Sequence, residues 1–279
     1  MPGTLFVVAT PIGNLEDVTT RALRILRNVT VIAAEDTRRT AHLLAHYAIT
    51  TTTTSLHEHN EYQKAPSLVA RLRRGDDVAL VSDAGTPTVS DPGQLLIREA
   101  IAAGIRVETV PGPNAAIAAL AVSGFPAETF SFMGFPPTRS KDRKQWIERV
   151  KSMGGTVIFF EAPHRIRETL VQIQRELGDR PALLCRELTK KFEQLVRGPI
   201  SGILQQLPAI KGEITVVLDI GQMIEHTQPQ ELSSEAARDE LGQLIDNTTI
   251  TRRQAIRVIA KRHNLPPNRV YQLIEAGKE

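Results

Sequence analysis

The run Val78-Ala79-Leu80-Val81-Ser82-Asp83-Ala84-Gly85-Thr86-Pro87, followed by Ser90-Asp91-Pro92-Gly93, constrains this chain more than any other stretch. Four apolar residues stop at a cluster of small, turn-forming ones, and a helical pattern starts behind them. That order reads as a buried strand delivering a loop into a helix. Gly85 and Gly93 let backbone approach a ligand closely, Pro87 and Pro92 stiffen the path, and Asp91-Pro92 is expected to give the helix its cap and first-turn proline. The pattern recurs where Val107–Val110 runs into Pro111-Gly112-Pro113-Asn114. Two such loops on neighbouring strands can build one pocket at the strand ends of an α/β sheet.

The first half alternates strand and helix. Strands are predicted at Leu5–Ala9, which ends in Thr10-Pro11-Ile12-Gly13-Asn14, and at Val29–Ala34, which ends in the charged loop Glu35-Asp36-Thr37-Arg38-Arg39. Helices are predicted over Val18–Leu26, around Leu43 and Leu44, and over Tyr62–Arg73, with the threonine run 50–54 as strand or loop. Such alternation predicts a largely parallel sheet. After Val122-Ser123-Gly124-Phe125-Pro126 the texture changes. Strands are predicted at Phe130–Phe135, Thr156–Phe160, Ala182–Arg186, Phe192–Val196 and Glu213–Ile220, with Glu193–Gly198 hairpin-paired. A basic helical arm at 139–151, a helix at Ile166–Leu177 and a short one near Ile203–Leu207 complete a mixed layer.

The expected organisation is an α/β domain over 1–120, a second over 121–222, a polar linker around 221–230 and a small helical tail over 233–279. In the tail, Thr251 can cap a helix carrying Ala255, Ile256, Val258 and Ile259; a turn at His263–Asn268 leads to a second helix with Val270, Leu273 and Ile274, a helix-turn-helix-like pattern. From Thr251 to Ile274 there is no acidic residue, while Arg252, Arg253, Arg257, Lys261, Arg262 and Arg269 are basic. This face suits either nucleic acid or the solvated side of a dimerisation or capping element.

Several classes drop out. A single cysteine, Cys185, excludes a disulfide framework or a cysteine zinc site within one chain. No apolar run is long enough to span a bilayer, and the amino terminus enters a strand with no basic leader, so a cytoplasmic location without membrane contact is expected. No Walker A sequence, no GxGxxG after a strand and no GxSxG elbow occur. His57-Glu58-His59 lacks the i, i+4 spacing and the third ligand of a metal site, so no metal is expected. His164 and Arg165, behind a strand end, are candidates for touching a phosphate or ribose, against a plain surface turn.

Eight short motifs occur in order: Ala9–Asn14, Ala34–Arg38, Leu80–Pro87, Asp91–Gly93, Pro111–Pro113, Phe160–Arg165, Arg186-Glu187-Leu188-Thr189-Lys190 and Lys211-Gly212-Glu213. Together they resemble the tetrapyrrole methylase (class III methyltransferase) superfamily, and within it the 2′-O-ribose methyltransferases of small-subunit ribosomal RNA. The resemblance covers residues 4–220. It implies two α/β domains with S-adenosylmethionine in the cleft between them, a homodimer, and a ribosomal RNA substrate in an assembled or nearly assembled small subunit, with a decoding-region cytidine as the acceptor. Carried onto this chain, the cofactor cleft would draw on Pro11, Asp83, Ala84, Gly85, Thr86, Asp91, Pro92, Gly93, Pro111, Gly112 and Pro113 from the first domain. From the second it would use Phe160, Glu161, Ala162, Glu187, Leu188, Gly212 and Glu213. Asp83 could take a hydroxyl or the donor's ammonium, or simply cap a turn.

Methyl transfer to a ribose 2′-oxygen is an in-line displacement that rewards positioning, and a carboxylate accepting the hydroxyl proton would add on the order of a hundredfold. Glu35, Asp36 and Glu161 are the candidates; Glu35 could equally pair with Arg38. Contacts to RNA would come from Arg38, Arg39, His59, Asn60, Arg139, Lys141, Arg143, Lys144, His164, Arg165 and Lys190 if they share one face. Trp146 could stack on a base or sit in the core. Two other readings remain: a tetrapyrrole C-methyltransferase, which would need no extended cationic surface, and an RNA-binding protein with a vestigial cleft.

Overall fold

The computed structural model describes residues 1–207, 211–221, 233–247, 251–262 and 265–276. They fall into two compact units, Met1–Gln222 and Met223–Glu279.

The first sheet joins β1 (Thr4–Val8), β2 (Val31–Ala34), β3 (Thr53–Ser55), β4 (Val78–Val81) and β5 (Arg106–Val110) in the order β3-β2-β4-β1-β5, all parallel. The end of the threonine run, Thr53 and Thr54, thus joins an edge strand, where β-branched residues are well tolerated, while 50–52 stay irregular. Every residue of β2 and β4 is buried, as expected for strands covered on both faces. Alternate residues serve opposite cores. Val78 and Leu80 pack with Leu68, Leu72 and Leu96 under α3 (Glu61–Arg73) and α4 (Gln94–Ala102). Ala79 and Val81 pack with Leu26 and Leu43 under α1 (Thr20–Asn28) and α2 (Thr37–His46). Truncating a fully buried leucine such as Leu72 or Leu96 to alanine would cost about 2–5 kcal/mol. The connection leaving β1 covers one face and that leaving β4 the other, so these two neighbours form the switch point at which such sheets open a crevice.

The second sheet joins β6 (Phe130–Phe132), β7 (Thr156–Glu161), β8 (Pro181–Arg186), β9 (Gln194–Pro199) and β10 (Ile214–Asp219) in the order β6-β7-β10-β8-β9. Only β6–β7 is parallel. Here α6 (Ser140–Met153), α7 (Ile166–Leu177) and α8 (Ile200–Gln206) cover one face through Ile147, Val150, Leu170, Ile173 and Ile203. On the other lies α5 (Ala115–Ala121), whose Ala116, Ala119 and Leu120 meet Ile158, Leu183, Cys185 and Val217. The chain therefore passes from one sheet's layers to the other's around Pro111–Asn114, ahead of α5.

Some expectations shift. The strand expected at Phe192–Val196 forms over Gln194–Pro199, paired with β8 in an antiparallel hairpin, which leaves 187–193 as a loop. The strand expected to reach Phe135 ends at Phe132, although its ladder continues with Met133 donating to Ile158 and Gly134 accepting from Phe160. In the other unit, α9 (Ser234–Asn247), α10 (Arg252–Arg262) and α11 (Pro267–Glu275) pack around Ala237, Leu241, Ala255, Ile259, Val270 and Ile274. The expected linker at 222–230, and His263 and Asn264 of the expected turn, lie outside the described residues.

Candidate functional site

The loops after β1, β4 and β5 are sewn together by their backbones. Thr10 donates to the Gly85 carbonyl at 2.9 Å and Gly85 donates back to Thr10 at 3.0 Å. The Thr10 hydroxyl donates to the Ser82 carbonyl, and the Thr86 hydroxyl to the Pro113 carbonyl. Past β4 the chain is contorted. Gly85 and Gly93 have positive φ without strain, but the non-glycine residues Thr88 and Ser90 have it too, a strain that tends to collect where a loop must present particular groups.

The expected cap from Asp91 does not form. Helix α4 starts at Gln94 with Gly93 at its N-cap, left-handed at φ 116°, and Glu61 of α3 supplies the cap by accepting from Leu95 and Leu96 at 2.8 and 3.1 Å. A side chain at Gly93 would meet Leu80 at 2.6 Å, so the turn is tight against the core and its cap comes from outside. Asp91 is thereby left facing the cavity.

On the second lobe, Glu187 and Thr189 also adopt left-handed backbone, at φ 52° and 66°. Glu187 donates its N–H to the Glu213 carbonyl, and its carboxylate accepts from the Glu213 N–H, both at 2.9 Å. Gly212, at φ 99°, makes room: a Cβ there would lie 2.5 Å from the Glu187 carboxyl carbon. Lys190 reaches Glu187 and Glu213, each at 3.0 Å. Burial opposes the Lys190 charge, but these two hydrogen bonds outweigh it and hold the ammonium above its usual pKa. The lobes touch where Asn14 donates to the Thr189 hydroxyl at 3.0 Å.

Between these loops lies a cavity of about 270 Å³, with walls from both sheets. Of the expected cofactor residues, Ala84, Gly85, Thr86, Asp91, Phe160, Glu161, Ala162, Leu188, Gly212 and Glu213 line it. Pro11, Asp83, Pro92, Gly93, Pro111, Gly112, Pro113 and Glu187 are not among its lining residues. Sequence reasoning missed Ile12, Val89, Ser90, Asn114, Ala115, Phe135, Pro163, Ile214 and Thr215. Most adjoin a quoted motif. Phe135 does not, and only its place in Gly134-Phe135-Pro136-Pro137, after a strand, could have signalled it.

The carboxylates differ sharply. Asp91 is pushed up to about 6, first by burial and then by the neighbouring Glu35 charge, against a hydrogen bond from Ser82. Glu35 is also raised, again chiefly by burial, although it accepts from the Asp83 N–H at 3.2 Å. Asp83 accepts from Asp36 N–H at 2.9 Å and lies 3.4 Å from Arg39. Asp36 caps α2 and is gripped by the Arg38 guanidinium, which holds it down at about 2. Glu161 is buried, accepting from the Ala162 N–H at 2.8 Å and the Thr169 hydroxyl at 2.6 Å. Of the three expected proton acceptors, only Glu161 reaches the cavity wall.

The expected RNA contacts divide as well. Arg38, Arg39, His59, Arg139, Lys141, Lys144 and His164 are exposed. Arg143 turns inward, 3% exposed, and bonds Gln172, Glu168 and the Thr138 carbonyl. Arg165 donates to the Pro136 and Pro137 carbonyls, Lys190 is held by its two carboxylates, and Asn60 ties its own loop to His57 and Ser55. Trp146 is a core residue, 5% exposed and edge-on to Phe159. Cys185 is fully buried, which pushes its thiol up to about 12.

Known proteins share this arrangement. The profile of the Tetrapyrrole (Corrin/Porphyrin) Methylases matches residues 4–204. The chain is 42% identical over 277 residues to ribosomal RNA small subunit methyltransferase I of Vibrio cholerae, covering 96% of this chain and 93% of that protein. To the protein of the same name from Synechocystis sp. it is 43% identical over 274 residues, 97% of each. Among solved structures, diphthine synthase superposes with a TM-score of 0.60 at 15% identity, covering 78% of this chain and 90% of that one. Uroporphyrin-III C-methyltransferase from Thermus thermophilus, complexed with S-adenyl homocysteine, gives 0.53 at 19%, covering 78% and 97%. Those two likenesses concern the fold. With the paired sheets, the strand-end cavity and relatives this similar over nearly their whole length, the chain belongs to the tetrapyrrole (corrin/porphyrin) methylase family.

Proposed function

We propose that the chain is a methyltransferase that moves a methyl group from S-adenosylmethionine to the 2′-hydroxyl of a ribose in small-subunit ribosomal RNA, with a decoding-region cytidine as acceptor. One observation carries most of this reading: a cavity walled by glycine-bearing loops from both lobes, in a chain whose 40–50% identical relatives bear a ribosomal RNA methyltransferase name. The tetrapyrrole alternative rests on the name of the whole family and on fold likenesses at or below 21% identity.

The wall residues suit such a donor. Ile12, Phe160, Leu188 and Ile214 offer apolar surface for adenine and a thioether chain, and the otherwise buried Thr215 offers a hydroxyl. Asp91 offers a carboxylate for an ammonium or a sugar hydroxyl. When bound, the donor supplies a methyl carbon activated by a sulfonium, whose sulfur departs neutral. The protein's part is to exclude water and hold the acceptor oxygen in line. Of the expected proton acceptors, Asp36 and Glu161 are committed to structural hydrogen bonds. Glu35 is the one we favour: it does not line the cavity but lies close enough to Asp91 of that wall for their charges to interact, its Oε1 accepts no hydrogen bond among the described residues, and burial raises its affinity for a proton.

No helix among the described residues is long and apolar enough to cross a membrane. A cytoplasmic homodimer acting on an assembled or nearly assembled small subunit completes the reading. Incubating the protein with methyl-labelled donor and small-subunit particles reconstituted from transcribed RNA, then mapping the label, tests it. Label on a ribose 2′-oxygen is expected; label on a base, or none, defeats it.

A further inference from the structure

Phe135 lines the cavity, yet it is 54% exposed. A small ligand in a pocket buries most of its surface, so its partners are the deep groups. A ring this open sits at the mouth, where a larger acceptor enters. Its ring makes a T-shaped contact with Phe160, centroids 5.6 Å apart, and Phe160 in turn meets Phe132 at 4.9 Å.

The carbonyls on either side of Phe135 are held by hydrogen bonds. The Gly134 carbonyl accepts from the Phe160 N–H at 2.9 Å. Pro136 and Pro137 accept from Arg165 Nη2 at 2.5 and 3.2 Å, and Thr138 from Arg143 Nη1 at 3.3 Å. Arg165 is itself anchored: its Nε lies 3.4 Å from Glu161 Oε1, close enough for an ion pair but not aligned as a hydrogen bond. Across the cavity mouth, Gly134, at φ 60°, passes beside Ser90, the neighbour of Asp91; a Cβ there would lie 3.6 Å from the Ser90 hydroxyl.

We propose that Phe135 is a preformed stacking platform for the nucleobase of the acceptor nucleotide, and that Arg165 is the positioning residue that fixes it. This rests on the ribosomal RNA reading above. Proteins that act on RNA at a defined nucleotide splay its base out and stack it on an aromatic ring. A ring that already rests on Phe160 and is flanked by anchored backbone loses less freedom when the base arrives. In a chain with 4% aromatic residues, the other exposed aromatic rings among the described residues, Tyr62, Phe130, Phe192 and Tyr271, do not line the cavity.

The test compares full-length wild type with Phe135→Ala, Phe135→Leu, Phe135→Trp and Arg165→Lys. It measures kcat and acceptor KM on particles reconstituted from transcribed RNA, the donor Kd by calorimetry, and the thermal midpoint. Phe135→Ala is expected to lower kcat/KM for particles by about ten- to a hundredfold with the donor Kd unchanged, and Phe135→Trp to recover most of it where Phe135→Leu does not. Arg165→Lys is expected to raise acceptor KM while leaving kcat and the donor Kd in place. The platform is overturned if Phe135→Ala matches wild type, if Phe135→Leu recovers as well as Phe135→Trp, or if Phe135→Ala weakens donor binding by the factor it costs the acceptor. Wild type that binds the donor but methylates no RNA overturns the functional reading, and the platform with it.

Discussion

Thr10 and Gly85 exchange two backbone hydrogen bonds, so an isolated antiparallel bridge ties the loops after β1 and β4 together just beyond the sheet. Gly85 holds this bridge at φ 80°, a region that costs an L-residue about 1–2 kcal/mol. A Cβ there would rest 3.4 Å from Ile12, an ordinary contact. Gly93 and Gly212 are tighter, with Cβ positions 2.6 Å from Leu80 and 2.5 Å from Glu187. In urea titrations, Gly85→Ala should therefore lose about 1–2 kcal/mol and Gly93→Ala clearly more, because it adds overpacking to the backbone strain. Equal losses would mean that φ alone sets the cost.

Asp91 should impose a pH signature. Its carboxyl, raised to about 6 chiefly by burial, keeps a proton over a range where the unfolded chain has already lost it. Between about pH 4 and pH 6 the unfolded state thus binds fewer protons, and stability falls as pH rises. Glu35, also raised, contributes with the same sign. Asp91→Asn should flatten much of that slope and gain on wild type above pH 6 in thermal melts. Donor affinity should behave oppositely: strong in wild type when Asp91 is ionised, weakening as pH drops through about 6, and weak at every pH in Asp91→Asn. A wild-type Kd that is flat across this range would remove Asp91 from donor binding.

Much of this is legible in the sequence. The valine-rich β4 and the glycine-bearing loop behind it announce a strand-end pocket, because a parallel strand buried on both faces must be apolar throughout and its loop must then turn sharply. The span Ile166–Leu177 reads as a helix and forms over those residues, since its apolar face repeats cleanly. What stayed hidden depends on partners distant in sequence. The cap of α4 comes from Glu61, more than thirty residues away, so Asp91 looked like the cap. Arg143 looked like one more cation of a basic arm, yet Gln172 and Glu168 of α7 draw it inward. Left-handed Ser90 and Glu187 carry no glycine signature, and Phe135 lines the cavity beside Pro136, whose carbonyl is held by the distant Arg165.

Glu161 separates support from catalysis. Both its oxygens accept hydrogen bonds within the fold, and its side chain is fully buried. Glu161→Ala would leave the Thr169 hydroxyl and the Ala162 N–H without their acceptor and take away the ion-pair partner of the Arg165 guanidinium, a loss of about 3–5 kcal/mol in chemical denaturation. Glu161→Gln, which keeps the shape and one acceptor oxygen, should lose less and retain kcat at a temperature where it is folded. A kcat collapse in folded Glu161→Gln would return Glu161 to the list of proton acceptors.

The helical unit offers the cleanest electrostatic test. Arg252 is tied to Glu275, whereas Arg253 and Arg257, one turn apart on α10, are exposed and carry no ion pair among the described residues. The apolar side of that helix, Ala255, Ile256 and Ile259, is buried in its own three-helix core, so replacing the two arginines leaves the packing untouched. If this face meets RNA phosphates, Arg253→Ala with Arg257→Ala should weaken particle binding and reduce the slope of log K against log salt by about two, one per lost contact. Donor affinity and the thermal midpoint should not move. Arg252→Ala should do the reverse, giving up an ion pair within the unit with little effect on the salt slope. Binding measured over a salt series decides between them: an unchanged slope in the double variant assigns this basic face to a role other than RNA.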